Sequence, residues 1–143
     1  GGMLVYGIPA FRLEKSVIEA EIEVLKAMGI EFKCGIEVGK DITLDDLRKE
    51  GYEAFYVAIG AQGSRKLNIP GEDNEMVISG IDFLRKVNKT EDPNLISGDV
   101  VVVGGGNVAI DVARAALRSG AENVHLYSLE QEDEMPASPE EVS

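Results

Sequence analysis

The sequence predicts an α/β fold of parallel strands covered by helices. Three observations carry that prediction. A short all-valine strand, Asp99 to Val103, runs straight into three glycines, Gly104-Gly-Gly106. A helical apolar period follows from about Asn107 to Ser119, closed by Gly120. A second short strand, Asn123 to Tyr127, comes directly after it. Strand, glycine turn, helix and strand in that order describe a βαβ unit.

The elements before that unit read as follows. Gly1 to Leu13 mixes glycine, proline, aromatic and apolar residues without a period, and reads as a loop or irregular strand. Ser16-Val-Ile-Glu19 has the spacing of a capping box, so a helix starts there and ends at Gly29. Its broad apolar face, with Val17, Ala20, Val24 and Met28 flanked by Ile18, Ile22 and Leu25, is expected to pack on a sheet. Ile30 to Cys34 alternates as a strand, and Ile36 to Val38 is a second short candidate. Thr43 caps a short helix to about Glu50. Glu53 to Ile59 reads as a mostly buried strand ending at Gly60-Ala61. A loop follows from Gln62 to Glu75, with Pro70-Gly71 as its turn. Ser79 opens a helix to about Asn88, and the polar stretch from Lys89 to Gly98 is the best linker candidate. The valine strand is expected to be covered on both faces, as parallel strands are. At the far end, Ser138-Pro-Glu-Glu141 is a helix start: a cap, a proline at the first helical position, and acids in the first turn.

The chain has 143 residues and a formal net charge of −12. That charge argues against nucleic-acid or anionic-membrane partners, which need clustered lysine and arginine. From Glu130 onward there are six acids and no base, read first as a solvated run. One cysteine, Cys34, is present. It is expected to be a buried core thiol rather than a nucleophile, in a cytoplasmic protein. No apolar run approaches a membrane span.

The glycine pattern is Gly104-x-Gly106-x-x-Ala109. Gly104 allows the tight turn, Gly106 lets a pyrophosphate approach the backbone, and Ala109 lets the helix lie close to the strand. With Gly105, Asn107 and Val108 these residues open a helix whose N-terminus offers unpaired donors to phosphate. In its strand–turn–helix setting the motif reads as a nicotinamide-dinucleotide site of Rossmann type. A ribose-reading acid is expected about 20 residues on, and Glu130 stands 21 residues after Ala109. A carboxylate there accepts from both ribose hydroxyls and repels the extra phosphate of NADP, so NADH is favoured over NADPH. The other reading makes Glu130 one member of the solvated acidic run. His125, alone within a strand, has no catalytic context, and Asp111 and Arg114 are placed to pair at i, i+3.

Several stretches in order, Gly1-Gly-Met-Leu-Val-Tyr-Gly-Ile-Pro-Ala-Phe-Arg-Leu13, Ala58-Ile-Gly-Ala61, Leu67-Asn-Ile-Pro-Gly-Glu72, Gly104-Gly-Gly-Asn-Val-Ala-Ile-Asp-Val-Ala-Arg114 and Glu134-Met-Pro-Ala137, resemble the small (β) subunit of glutamate synthase and its relatives. The resemblance implies a flavoprotein with paired FAD and NAD(P) domains, passing hydride from NAD(P)H to FAD and electrons on to iron–sulfur clusters or a partner subunit. It implies that Gly1 and Gly2 pass near the flavin, that Val38 meets the FAD adenine, and that Ala58, Gly60 and Ala61 close over the FAD pyrophosphate. Gly60 and Ala61 can also be an ordinary turn. The expected division is a partial FAD-binding domain and crossover at residues 1–88, a linker at 89–98, and a partial NAD(P)-binding domain at 99–143. The fold is thus expected to hold Rossmann-like parallel-sheet elements from two incomplete nucleotide-binding domains of a longer protein. The FAD glycine fingerprint and the iron–sulfur cysteines of the family are not in this sequence, and Ser128-Leu129 stand where many relatives carry an arginine pair. No side chain is assigned a catalytic or metal-binding role. Alone, the chain is expected to be colourless and able to form a homodimer through exposed strand edges. The competing expectation is a stand-alone, non-enzymatic nucleotide-binding or interaction module.

Overall fold

A computed structural model describes residues 1–90 and 92–142, apart from the side chain of Glu132. Glu91, in the predicted linker, lies outside them. The chain forms two compact units, one of residues 1–18 and 62–143, the other of residues 19–61. No helix among the described residues is long and apolar enough to cross a membrane.

The first unit is built on β1 (Asp99–Val103), α5 (Asn107–Arg118) and β2 (Asn123–Tyr127). β1 and β2 pair in parallel, Asp99 opposite Asn123 and Val103 opposite Tyr127. α5 is the crossover that a parallel pair requires. With α4 (Gly80–Thr90) it encloses a core of Phe83, Leu84, Val102, Val112, Ala115 and Ala116. The small residues matter. A Cβ placed on Gly80 would lie 3.0 Å from Val112 Cγ2, so α4 and α5 approach closely because glycine is there. Ser79 caps α4 by accepting from the Asp82 N–H at 3.1 Å.

The expectation that β1 is covered on both faces is corrected. Val102 is buried, whereas Val101 and Val103 are exposed. A run of identical valines hides the alternation that separates a core face from an open one. On β2, Val124 and Leu126 join the core while His125 and Tyr127 point outward. Parts of the stretch read as a linker are structured. Lys89 and Thr90 finish α4, Leu95 and Ile96 pack on the core, and the Ile96 N–H donates to the Ser119 carbonyl at 3.0 Å.

The N-terminal segment is a second correction. Instead of a loop or strand it holds a short helix, α1 (Met3–Tyr6), docked on α4. Asn88 Nδ2 donates to the Tyr6 and Ile8 carbonyls at 2.9 and 3.2 Å. Lys15 Nζ donates to the Leu4 and Ile8 carbonyls, and partial burial lowers its pKa. Pro9 is fully buried. Short-range period could not announce this, because the holding groups come from distant elements.

α2 (Lys15–Ala27) starts before the predicted capping box. Ser16 lies inside the helix and donates to Glu14 at 3.4 Å, so the box does not form. Only Ile18 of α2 is buried, and Val17, Val24, Leu25 and Met28 are exposed rather than packed on a sheet.

In the second unit, α3 (Leu44–Lys49) carries the predicted cap as a complete capping box. The Asp46 N–H donates to Thr43 Oγ1 at 3.1 Å, and the Thr43 N–H to Asp46 Oδ2 at 3.2 Å. The Thr43 hydroxyl donating to Asp46 Oδ2, then the Lys49 ammonium and the Thr43 N–H, hold the Asp46 pKa low. The predicted strands at 30–34 and 53–59 are corrected: neither forms a ladder among the described residues, and pairing is limited to one bridge between Val38 and Ile42. A strand is defined by its neighbour, and these runs have none to bond. Val57 and Ile59 are therefore exposed, not buried. Cys34, expected in the core, is exposed for the same reason.

Candidate functional site

The site grows from the end of β1. The Gly104 N–H donates to the Tyr127 carbonyl at 2.8 Å, which ends the ladder and turns the chain. Gly104 has φ of 142°, a region that L side chains rarely enter. A Cβ there would sit 3.5 Å from Ala109 Cβ, an ordinary contact, so the glycine is required by backbone angle and not by space. Ala109 keeps that separation small, as the motif predicts.

Gly105 is buried, and a Cβ on it would collide with Ser128 Oγ and lie 3.1 Å from Glu130 Oε2. The end of β2 thus closes over the middle glycine. Ser128 Oγ donates to Glu130 Oε2, and the Glu130 N–H donates back to Ser128 Oγ at 3.2 Å. The Ser128 hydrogen bond, with help from backbone N–H groups, holds the Glu130 pKa below the ordinary carboxylate value. Glu130 is exposed and ionised, beside the turn.

Gly106 caps α5 in an extended conformation, and its carbonyl accepts from the Ala109 and Ile110 N–H groups at 2.9 and 3.3 Å. A Cβ on Gly106 would meet open space. Among the described residues the N–H groups of Gly106, Asn107 and Val108 find no internal acceptor. The first turn of α5 carries no acid. Free donors, a positive dipole end and vacant space in front of Gly106 are what a pyrophosphate needs. The donor set and the vacancy fit that group.

The chain therefore brings Gly104, Gly105, Gly106, Asn107, Val108, Ala109 and Glu130 to one place. Gly1 and Gly2 stand at the head of α1, where Gly2 is the helix cap with φ of 49°. Val38, Ala58, Gly60 and Ala61 belong to the second unit and are exposed there. Val38, Ile36, Ile42 and Leu47 line a shallow apolar depression.

The helix start predicted at Ser138 forms as α6 (Pro139–Val142), but the sequence did not disclose the contacts of the segment that leads into it. The Ala137 N–H donates to the Gly105 carbonyl at 3.0 Å, and the Ser138 N–H to Asn107 Oδ1 at 2.8 Å. Ala137 is buried. Nor do Asp111 and Arg114 pair with each other. Asp111 pairs with Arg12, and Arg114 with Glu141. For these contacts the sequence signals were the stretch Glu134 to Ala137, which belonged to the resemblance, and the helix start at Ser138, neither with an assigned contact.

The sequence profile described as pyridine nucleotide-disulphide oxidoreductase matches residues 16–143. The chain is 44% identical over 144 residues to the NADP(+)-dependent formate dehydrogenase subunit beta of Moorella thermoacetica, covering 99% of this chain and 20% of that protein. It is 39% identical over 152 residues to the glutamate synthase [NADPH] small chain of Escherichia coli, covering 99% of this chain and 32% of that protein. It is 39% identical over 145 residues to the NADPH-Fe(3+) oxidoreductase subunit beta of Geobacter sulfurreducens, covering 99% of this chain and 21% of that protein. The chain thus spans between a fifth and a third of the length of these relatives.

Proposed function

The chain belongs to the pyridine nucleotide-disulphide oxidoreductase family, and from that premise we propose that it is the dinucleotide-binding part of an NAD(P)H-dependent flavin oxidoreductase. The observation that carries the proposal is the turn itself: a buried Gly105 under Glu130, N–H donors at Gly106 to Val108 without an acceptor among the described residues, and open space where a Gly106 Cβ would stand. When bound, the nicotinamide supplies a hydride and FAD accepts it. The chain's own part is to bind and orient. Gly106, Asn107 and Val108 donate to the pyrophosphate, Ala109 admits the helix, and Glu130 accepts from the adenosine ribose.

The FAD side of the proposal is supported by the resemblance. In it Gly1, Gly2, Val38, Ala58, Gly60 and Ala61 contact FAD, and residues 1–88, 89–98 and 99–143 are the FAD-domain part, linker and NAD(P)-domain part. In the same resemblance electrons then pass to iron–sulfur clusters in a further domain or a large subunit; the relatives' names carry only the words subunit or small chain. An exposed lone thiol at Cys34 suits a reducing, cytoplasmic setting.

Within this reading NADH is the preferred donor. The relatives above carry NADP or NADPH in their names. In this chain an ionised Glu130 stands over the turn, and Ser128-Leu129-Glu130 holds no cation where the resemblance implies an arginine pair in many relatives. A second phosphate on the ribose would meet that carboxylate and find no counter-charge. Anaerobic titration of the full-length protein with NADH and with NADPH, following flavin absorbance, tests both parts. Reduction by NADH at lower concentration is the expected result. Tighter binding of NADPH sinks the preference, and the lack of a flavin signal sinks the flavin assignment.

A further inference from the structure

Four charged groups from three distant segments meet on the flank of α5. Arg12 Nε donates to Asp111 Oδ1, and Arg12 Nη1 to Glu141 Oε1 at 2.5 Å. Arg114 Nη1 donates to Glu141 Oε2, and Arg114 Nη2 to the Glu141 backbone carbonyl at 3.2 Å. The Glu141 carboxylate is thus shared by two guanidinium groups, and its side chain is only 16% exposed. Four residues earlier the same segment touches the glycine turn through the Ala137 and Ser138 N–H groups. Residues 137–141 are tied at one end to the turn and at the other to α5 and Arg12.

The tie at Gly105 has a geometric consequence. In a trans peptide the carbonyl of one residue and the N–H of the next point in opposite directions. Ala137 holds the Gly105 carbonyl on the protein side. The Gly106 N–H, in the same peptide plane, is thereby turned the other way, away from Ala137. Asn107 is held likewise, because its Oδ1 is committed to Ser138.

We propose that Glu141, clamped by Arg12 and Arg114, is a positioning residue for dinucleotide binding. It fixes residues 137–141 so that Ala137 and Ser138 hold the Gly105–Gly106 peptide and Asn107 in the donor geometry a pyrophosphate needs. Glu141 touches no ligand in this scheme. The proposal rests on reading the turn as a dinucleotide site.

The test uses the full-length protein and its Glu141→Gln variant. Three quantities are measured: the Kd for NADH and NADPH, the maximal rate of NAD(P)H oxidation with an artificial dye acceptor at saturating nucleotide, and the Tm. Loss of one charge-assisted tie is expected to raise Kd roughly tenfold, with the saturated rate unchanged. A lowered Tm with an unchanged Kd makes the cluster merely structural and overturns the proposal. If Glu141→Gln does not fold, Arg114→Lys decides. It keeps the charge but loses the planar fork whose two nitrogens bond the Glu141 carboxylate and carbonyl side by side. A Kd raised about threefold is expected, and an unchanged Kd overturns the proposal. If the wild-type protein binds neither nucleotide, the dinucleotide reading falls and the proposal with it. If the wild type binds and the variants bind equally well, the proposal falls alone.

Discussion

Two stretches of this chain carry similar strand-forming residues and meet different fates. Val100 to Val103 forms a hydrogen-bonded ladder, and Phe55 to Ile59 forms none. β-propensity does not separate them, since both are rich in β-branched or aromatic residues. The neighbour does. β1 and β2 are joined by a single crossover helix, so the partner strand and the helix that covers the pair arrive within one short segment. The run at 53–59 has no such partner among the described residues, and its side chains stay in solvent. An alternating pattern specifies an extended backbone; a sheet also needs a second strand at bonding distance.

The sharpest way to break this contrast is a pair of core-type truncations in the 143-residue chain. Leu84 is 1% exposed and Val57 is 72% exposed. Leu84→Ala is expected to destabilise the first unit by roughly 2–5 kcal/mol. Val57→Ala is expected to change stability by less than about 0.5 kcal/mol. Urea denaturation followed by circular dichroism reads both. Equal losses would mean that the 53–59 run is packed and the contrast is false.

The next effect is at the turn. Gly104→Ala places a Cβ on a backbone with φ of 142°, which costs about 1–3 kcal/mol. Because the added atom meets only an ordinary contact with Ala109, the loss is conformational. Calorimetry should show a lower Tm, and dinucleotide titration of the full-length protein a weaker Kd. A variant as stable as wild type would show that the turn is not strained as described.

How much of this was legible in the sequence follows the range of the forces involved. The β1–α5–β2 unit, α4 and the Thr43 cap were legible because glycines, caps and apolar period act within a turn or two. The placement of Glu130 over Gly105 was legible in part, through spacing from Ala109, although Ser128 as its hydrogen-bond donor was not. The docking of α1, the open face of β1 and the Arg12–Asp111–Glu141–Arg114 cluster were not legible. Arg12 and Asp111 are 99 positions apart, and no local pattern links them. The predicted Asp111–Arg114 pair failed because longer-range partners of opposite charge were available to each. The Ser16 cap failed because α2 begins one residue earlier, leaving the hydroxyl inside the helix.

The cluster also gives the first unit a pH dependence. Glu141 has its pKa held below the ordinary 4.5, chiefly by the hydrogen bond from Arg12 and then by the charges of Arg12 and Arg114. Asp111 is the other acid facing Arg12. A carboxyl depressed in the folded state contributes stability that is fully present above its unfolded pKa. That contribution is lost as pH falls through the lowered folded value. Wild type should therefore lose stability on acidification more steeply than Glu141→Gln, with the two curves converging at the acid end. Parallel curves across that window would show that the Arg12–Glu141 contact carries no net stabilisation.

The smallest effects compare two caps that look alike in sequence. Thr43→Ala removes a hydroxyl that accepts from the Asp46 N–H, and is expected to cost about 1 kcal/mol of local stability in α3. Ser16→Ala removes a hydroxyl that makes only a 3.4 Å contact with Glu14. It is expected to change α2 by less than about 0.5 kcal/mol. Native-state hydrogen exchange at the Leu47 and Glu50 amides, set against the α2 amides, measures both. The Leu47 and Glu50 N–H groups bond back to the Thr43 and Asp46 carbonyls, so they report the first opening of that helix. Similar losses at the two serine and threonine positions would mean that α2 is capped by Ser16 in solution. The helix would then start where the sequence first placed it.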